Sequence, residues 1–209
     1  MNYLSFREKL RDFAAFNLSD IRKIDAGFDL RRLSEWQAKG YLKMIRRGHY
    51  VFSDLEINES VLFLMANKIY TPSYVSLEMA LSHYNLIPEA VYGITSVASR
   101  KTNYFKTDFG EFIYRHIKPQ LMFGYKLIGY QGKIFKLAEP EKAVLDFFYL
   151  NTHIEAKEDF EGLRFNSEEF VENSDKNKFK DYLSAFENKK LAQRVNTFLR
   201  YIHYHYCPE

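Results

Sequence analysis

At Gly40 the chain changes its hydrophobic period. Upstream, "LRRLSEWQAK" places Leu30, Leu33 and Trp36 on one side of a helical wheel. Downstream, "YLKMI" and "HYVFS" alternate as strands do, around the turn "RRG", where Gly48 can take a positive φ. Two more helical stretches come first. Residues 3–16 carry a stripe of Leu4, Leu10, Phe13 and Ala14, and "SDIRKI" is expected to be N-capped by Ser19. "DAG" breaks that helix at Gly27. Asp29 then caps the third helix, and Gly40 ends it from the C′ position. Three helices and two strands in this order are the layout of a winged helix-turn-helix.

This layout gives meaning to four arginines. Arg31, Glu35 and Lys39 lie on the outer side of the third helix with Arg32 beside them, while Arg46 and Arg47 sit at the hairpin turn. A recognition helix reads base edges in the major groove, where Arg bonds guanine and Glu accepts from cytosine. A basic wing tip presses on phosphates or enters the minor groove. Both sets would then grip one duplex. His49 flanks the turn, where it either touches a phosphate or occupies a cross-strand surface position. The bland alternative is that all four arginines are ordinary solvated charges. Charge distribution favours the first reading: residues 1–54 carry 11 Lys/Arg against 7 Asp/Glu, whereas residues 151–209 carry 9 against 11.

Beyond a boundary near residues 54–58, residues 55–69 read as a helix, and Pro72 and Ser73 are expected to start another. Residues 91–138 are β-rich: "ITSVAS", "NYFKTDF", "EFIYRHI", "FGYKLIGY" and "KIFKLA", with hairpin turns at Gly110 and Gly132. Their short connections predict a mainly antiparallel sheet. "EPEKAVLDFFYL" opens a helix at Pro140, with Ala143, Val144, Phe147 and Phe148 facing a core. Residues 152–166 read as irregular. Helices near 175–187 and 189–205 close a helical tail spanning 167–206. The expected fold is therefore α+β, with a winged helix-turn-helix over 1–56 and a mixed helix-and-sheet domain over 57–209.

Composition bounds the rest. At 46% apolar, the chain is long enough to bury a core and is not disordered. No apolar run approaches membrane-spanning length, and the N-terminus lacks a signal-peptide pattern. Cys207 is the single cysteine, so no intrachain disulfide forms and a cytoplasmic location is expected. The abundant Tyr and Phe residues fall at helix and strand periods and read as core.

The segments "PSYVSLEMALSHYNLIPE" (72–89), "ITSVASRKTNYFKTDFGEFIYRHIK" (94–118) and "EPEKAVLDFFYL" (139–150) occur in the order seen in the AbiEi antitoxins of bacterial abortive-infection systems. The chain resembles that family up to about residue 150, and its N-terminal part resembles the family's winged helix. The resemblance implies an antitoxin and transcriptional autorepressor, binding inverted repeats upstream of its own operon in cooperative or dimeric fashion. It would counteract a neighbouring nucleotidyltransferase-like toxin. By position, DNA contacts would come from Arg31, Arg32, Lys39, Arg46 and Arg47. Arg100, Lys101 and Arg115 of the second domain are its polar candidates for DNA or toxin. The alternative is a protein-interaction antitoxin that docks its toxin directly through the winged helix or the second domain.

Other residues read more plainly. "SRKT" (99–102) is equally a solvated turn and a basic site. Lys142 and Asp146, spaced i, i+4, are expected to form a surface ion pair worth about 0.3 kcal/mol. "EPEK" does not supply the paired acids with Glu-x-Lys spacing of a Mg²⁺ nuclease, and no catalytic triad or phosphate-binding loop is apparent. No enzymatic activity and no cofactor are therefore expected. His203, His205 and Cys207 would share no common helix face, so no metal site is expected there either.

Overall fold

The computed structural model describes residues 1–88 and 92–202. It is α+β, with ten α-helices and two sheets among the described residues.

The N-terminal unit holds α1 (Tyr3–Leu10), a short β1 (Phe16–Asn17), α2 (Leu18–Ile24), α3 (Arg31–Ala38), β2 (Leu42–Arg46) and β3 (His49–Phe52). α1 is shorter than its sequence pattern, because its buried face is Phe6 and Leu10, while Leu4 is 75% exposed. α2 is capped by Asn17 rather than Ser19. The Asn17 side chain accepts from the Asp20 N–H, and Asp20 Oδ2 accepts from the Asn17 N–H in return. Asp29 does not take the N-cap of α3, a position that falls to Leu30 with no side-chain cap bond; Asp29 lies one residue earlier, its Oδ1 accepting from the Arg31 N–H at 3.0 Å. The helix ends in a Schellman turn: Gly40 at φ +71° donates to the Gln37 carbonyl, and Tyr41 donates to that of Trp36.

The small sheet runs β1-β3-β2, all antiparallel, and its central strand β3 is buried on both faces. One face carries Phe16, Leu42, Tyr50 and Phe52 onto the helices' own core of Phe6, Ile21, Leu33 and Trp36. The other carries Ile45 and Val51, with Ala14 and Ala15 nearby, into the core of the second unit. The hairpin is thus a wall between two cores, and no flexible linker separates the units.

The second unit is built on a six-stranded sheet of order β6-β7-β5-β4-β9-β8. After α4 (Glu59–Ile69) come β4 (Ser73–Val75), α5 (Leu77–His83), β5 (Gly93–Ala98), β6 (Asn103–Thr107), β7 (Gly110–His116), β8 (Tyr125–Tyr130) and β9 (Lys133–Ala138). Pro72 and Ser73 do not start a helix: residues 73–75 are a strand, and the helix begins after Ser76. The sheet is mixed, not simply antiparallel. β5 pairs β7 in parallel, and so does β4 with β9. Short connections exclude parallel pairing only between consecutive strands. Here β6 takes the edge while β7 returns between it and β5, and a long excursion separates β4 from β9.

α6 (Pro140–Leu150) is the central helix, buried along Ala143, Val144, Phe147 and Phe148. The segment read as irregular contains α7 (Lys157–Leu163). With α8 (Ser167–Asn173), α9 (Lys176–Ala185) and α10 (Lys189–Tyr201), it forms a layer rather than a loose tail. α9 and α10 pack on α6 through Phe179, Leu183, Leu191, Val195 and Phe198, all buried.

Candidate nucleic-acid interface

The outward face of α3 consists of Arg31, Ser34, Glu35, Ala38 and Lys39, all exposed, while Leu33 and Trp36 are buried beneath it. Arg32 and Gln37 flank this strip half-buried, and Gln37 bonds back to the Leu33 carbonyl. Ser34 and Ala38 complete the wheel that the basic residues suggested, at i+3 and i+7 from Arg31. The strip is less uniformly basic than it first reads. Arg31 is also engaged: its guanidinium forks onto Asp29, with Nη2 to Oδ2 at 2.9 Å. That contact holds the Asp29 carboxyl below its usual range and the guanidinium above its own. Arg31 must share or release Asp29 to reach a phosphate or base.

The two hairpin arginines diverge. Arg47 is exposed beside Gly48, whose φ is +80°. Arg46 is half-buried and lies over the Phe105 ring of β6 at 4.3 Å, tying the hairpin to the second unit. His49 is turned partly inward, its Nδ1 3.4 Å from the Arg47 carbonyl, and burial pushes its pKa down. A second tie between the units joins Lys68 Nζ on α4 to the buried Asp20 Oδ2 at 2.6 Å.

The second-unit candidates do not gather into one site. Arg100 is exposed but stacks over Tyr70 and donates to the Thr71 carbonyl at 3.3 Å. Lys101 is exposed, and its carbonyl accepts from the Tyr70 hydroxyl at 2.6 Å. Arg115 is half-buried and closes the C-terminal end of α6, donating to the Leu150 carbonyl at 2.9 Å and to Asn151 Oδ1 at 3.3 Å.

The surface ion pair expected at Lys142 and Asp146 is instead wholly buried, with both side chains at 0% exposure. Lys142 Nζ donates to Asp146 Oδ1, and the Tyr74 and Ser76 hydroxyls each donate to Oδ2 at 2.8 Å. The ammonium lies 4.8–5.5 Å from the Phe186, Phe123 and Tyr74 rings. Burial holds its pKa down and holds that of the Tyr74 hydroxyl well up. Next to this cluster Glu139 accepts from Tyr182 at 2.5 Å and Lys178 at 3.0 Å, and Glu141 Oε1 accepts from the Asp175 N–H at 2.6 Å. The i, i+4 spacing gave no sign of this, because burial comes from α9, which arrives thirty residues later in the chain.

Among the described residues no group of three or more His, Cys, Asp or Glu side chains is placed to hold a metal ion. His203, His205 and Cys207 lie outside the described residues. No described helix is long and apolar enough to cross a membrane. No protein-family model matches the sequence, and no curated protein matches it significantly.

Proposed function

We propose that residues 1–56 form a winged helix-turn-helix that binds double-stranded DNA, and that the protein is a non-enzymatic antitoxin and transcriptional autorepressor of the AbiEi kind. One observation carries the DNA reading. The small N-terminal unit presents Arg31 and Lys39 on the outward face of α3 and Arg47 at the hairpin turn, all exposed, while Leu33 and Trp36 beneath that helix and Ile45 and Val51 of the hairpin are packed into two cores. In this reading α3 enters the major groove with Arg32 at its flank, Glu35 and Ser34 face base edges, and Arg47 meets the backbone. Arg46, His49 and Arg115 serve packing, and Arg100 and Lys101 serve the Tyr70 contact rather than DNA.

The antitoxin reading rests on the family resemblance, and the partner it supplies is a nucleotidyltransferase-like toxin encoded alongside. Two experiments test the two parts. The DNA upstream of the protein's own gene should bind more tightly than scrambled DNA of the same length, with affinity falling steeply as salt rises. Equal affinity for both rejects repression. Co-expression should restore growth to cells producing the neighbouring gene's product, and failure to do so rejects the antitoxin role.

A further inference from the structure

The six-stranded sheet has two edges, and the protein treats them differently. The β6 edge is covered, with β2 of the N-terminal unit lying against it and Arg46 stacked on Phe105. Among the described residues the β8 edge has no strand beyond it. Register shows which of its peptide groups are free. The β8–β9 turn is the two-residue Gln131–Gly132, both at positive φ, so Tyr130 and Lys133 form a hydrogen-bonded pair. Counting back, Leu127 and Gly129 belong to the alternate pairs, opposite Lys136 and Ile134, and point their N–H and C=O groups away from the partner strand. The same rule sends the Lys136 groups outward from β9, where the Asn67 side chain bonds both of them, at 2.6 and 3.4 Å.

Leu127 and Ile134 share one face of this hairpin as diagonal neighbours, and each is 64% exposed. They border an open groove of about 400 Å³ whose other wall is Phe13, Ala14 and Ala15 of the N-terminal unit, with Pro72 and Ser73 at its floor. Residues 125–138 carry three lysines, Lys126, Lys133 and Lys136, and no acid. Among the described residues no carboxylate lies within 4.0 Å of any of the three ammoniums. The groove's one acid, Asp12, sits 3.8 Å from Arg11.

We infer that this edge and its apolar patch dock an extended, acidic segment of a partner protein, added as a further strand along β8. The free peptide groups of Leu127 and Gly129 supply backbone pairing, Leu127 and Ile134 meet apolar side chains, and the lysines select acids at alternate positions. Charge decides against a second copy of this chain, since pairing two β8 edges sets Lys126 against Lys126 and joins two hairpins that together carry six lysines and no acid. The exposed leucine and isoleucine decide against a phosphate backbone, which gains nothing from apolar surface. The inference stands independently of DNA binding by the N-terminal unit.

The test is selection from a random short-peptide library on the full-length protein, with counter-selection on Leu127→Asp/Ile134→Asp. Both positions are exposed, so that variant should keep the wild-type melting temperature. Retained peptides should be acidic, with apolar residues alternating. They should bind both this variant and Lys126→Gln/Lys133→Gln/Lys136→Gln at least about tenfold more weakly. Failure to retain peptides selectively, or retention of peptides without acids, overturns the inference. So does a wild-type dimer that the Leu127→Asp/Ile134→Asp variant dissolves in sedimentation, which would assign the edge to self-association. Loss of duplex affinity in that variant overturns it in favour of DNA.

Discussion

Replacing Asp146 with alanine removes the only carboxylate among the described residues within ion-pair distance of a fully buried ammonium. It also strips the acceptor from the Tyr74 and Ser76 hydroxyls. The charge part has a ceiling, because Lys142 can shed its proton: neutralising a lysine of ordinary pKa at pH 7 costs about 4.6 kcal/mol. Breaking a buried pair typically costs about 3–5 kcal/mol, and each stranded hydroxyl adds about 1 kcal/mol. The expected loss is therefore about 5–7 kcal/mol, a fall of roughly 10–28 °C in melting temperature for a chain of this size. Urea unfolding followed by circular dichroism reads it directly. The pH profile gives a second, independent signature. In the variant Lys142 is neutral when folded and protonated when unfolded, so the unfolded state binds the extra proton. Stability should then rise with pH by about 1.4 kcal/mol per unit from neutrality until the unfolded lysine itself titrates near 10. Lys142→Met/Asp146→Leu, which removes both charges, should be less destabilised than Asp146→Ala alone. A loss under about 1 kcal/mol, or a pH profile parallel to the wild type, would refute the buried-pair account.

Three further outcomes follow from the packing. Tyr74 and Tyr114 are fully buried and have hydroxyl pKa values raised by that burial, so both stay neutral in the fold when the unfolded chain ionises. Stability should be intact below pH 10 and fall above it by about 1.4 kcal/mol per pH unit for each tyrosine, measured by urea unfolding at alkaline pH. Gly124→Ala should destabilise by about 2–4 kcal/mol in the same assay. Its φ is +70°, and the added Cβ would sit 2.9 Å from the Tyr182 ring and 3.0 Å from the Lys142 side chain. Arg46→Ala should cost about 1 kcal/mol through loss of the Phe105 contact and raise protease cleavage near residues 54–58, whereas Arg47→Ala should leave stability unchanged.

Much of this fold is legible in the sequence where the pattern is local. The five β-rich runs after residue 92 became strands because alternation and the glycines at 110 and 132 agree. The apolar stripes of α6, α9 and α10 place their buried faces correctly. What stayed hidden depends on distant chain. The three residues of β4 hold no period, and their neighbours in the sheet lie twenty and sixty residues away. Lys142 and Asp146 have the spacing of a surface pair, and only the arrival of α9 and the Tyr74 strand buries them. Arg46 and Arg47 are adjacent and identical in type, yet one faces Phe105 and the other solvent. Nothing within the turn could separate them, because the difference lies in a strand sixty residues onward.

The most direct test of DNA recognition is the salt dependence of binding to the protein's own upstream DNA. Wild type should be compared with Arg31→Ala/Arg32→Ala/Lys39→Ala/Arg47→Ala and, separately, with Arg46→Ala. The account predicts that the fourfold variant loses preference for that DNA over scrambled sequence. Its log–log salt slope should shrink by about 0.9 for each phosphate contact removed, while Arg46→Ala keeps the wild-type slope. Unchanged binding by the fourfold variant, or no preference in the wild type, would contradict it.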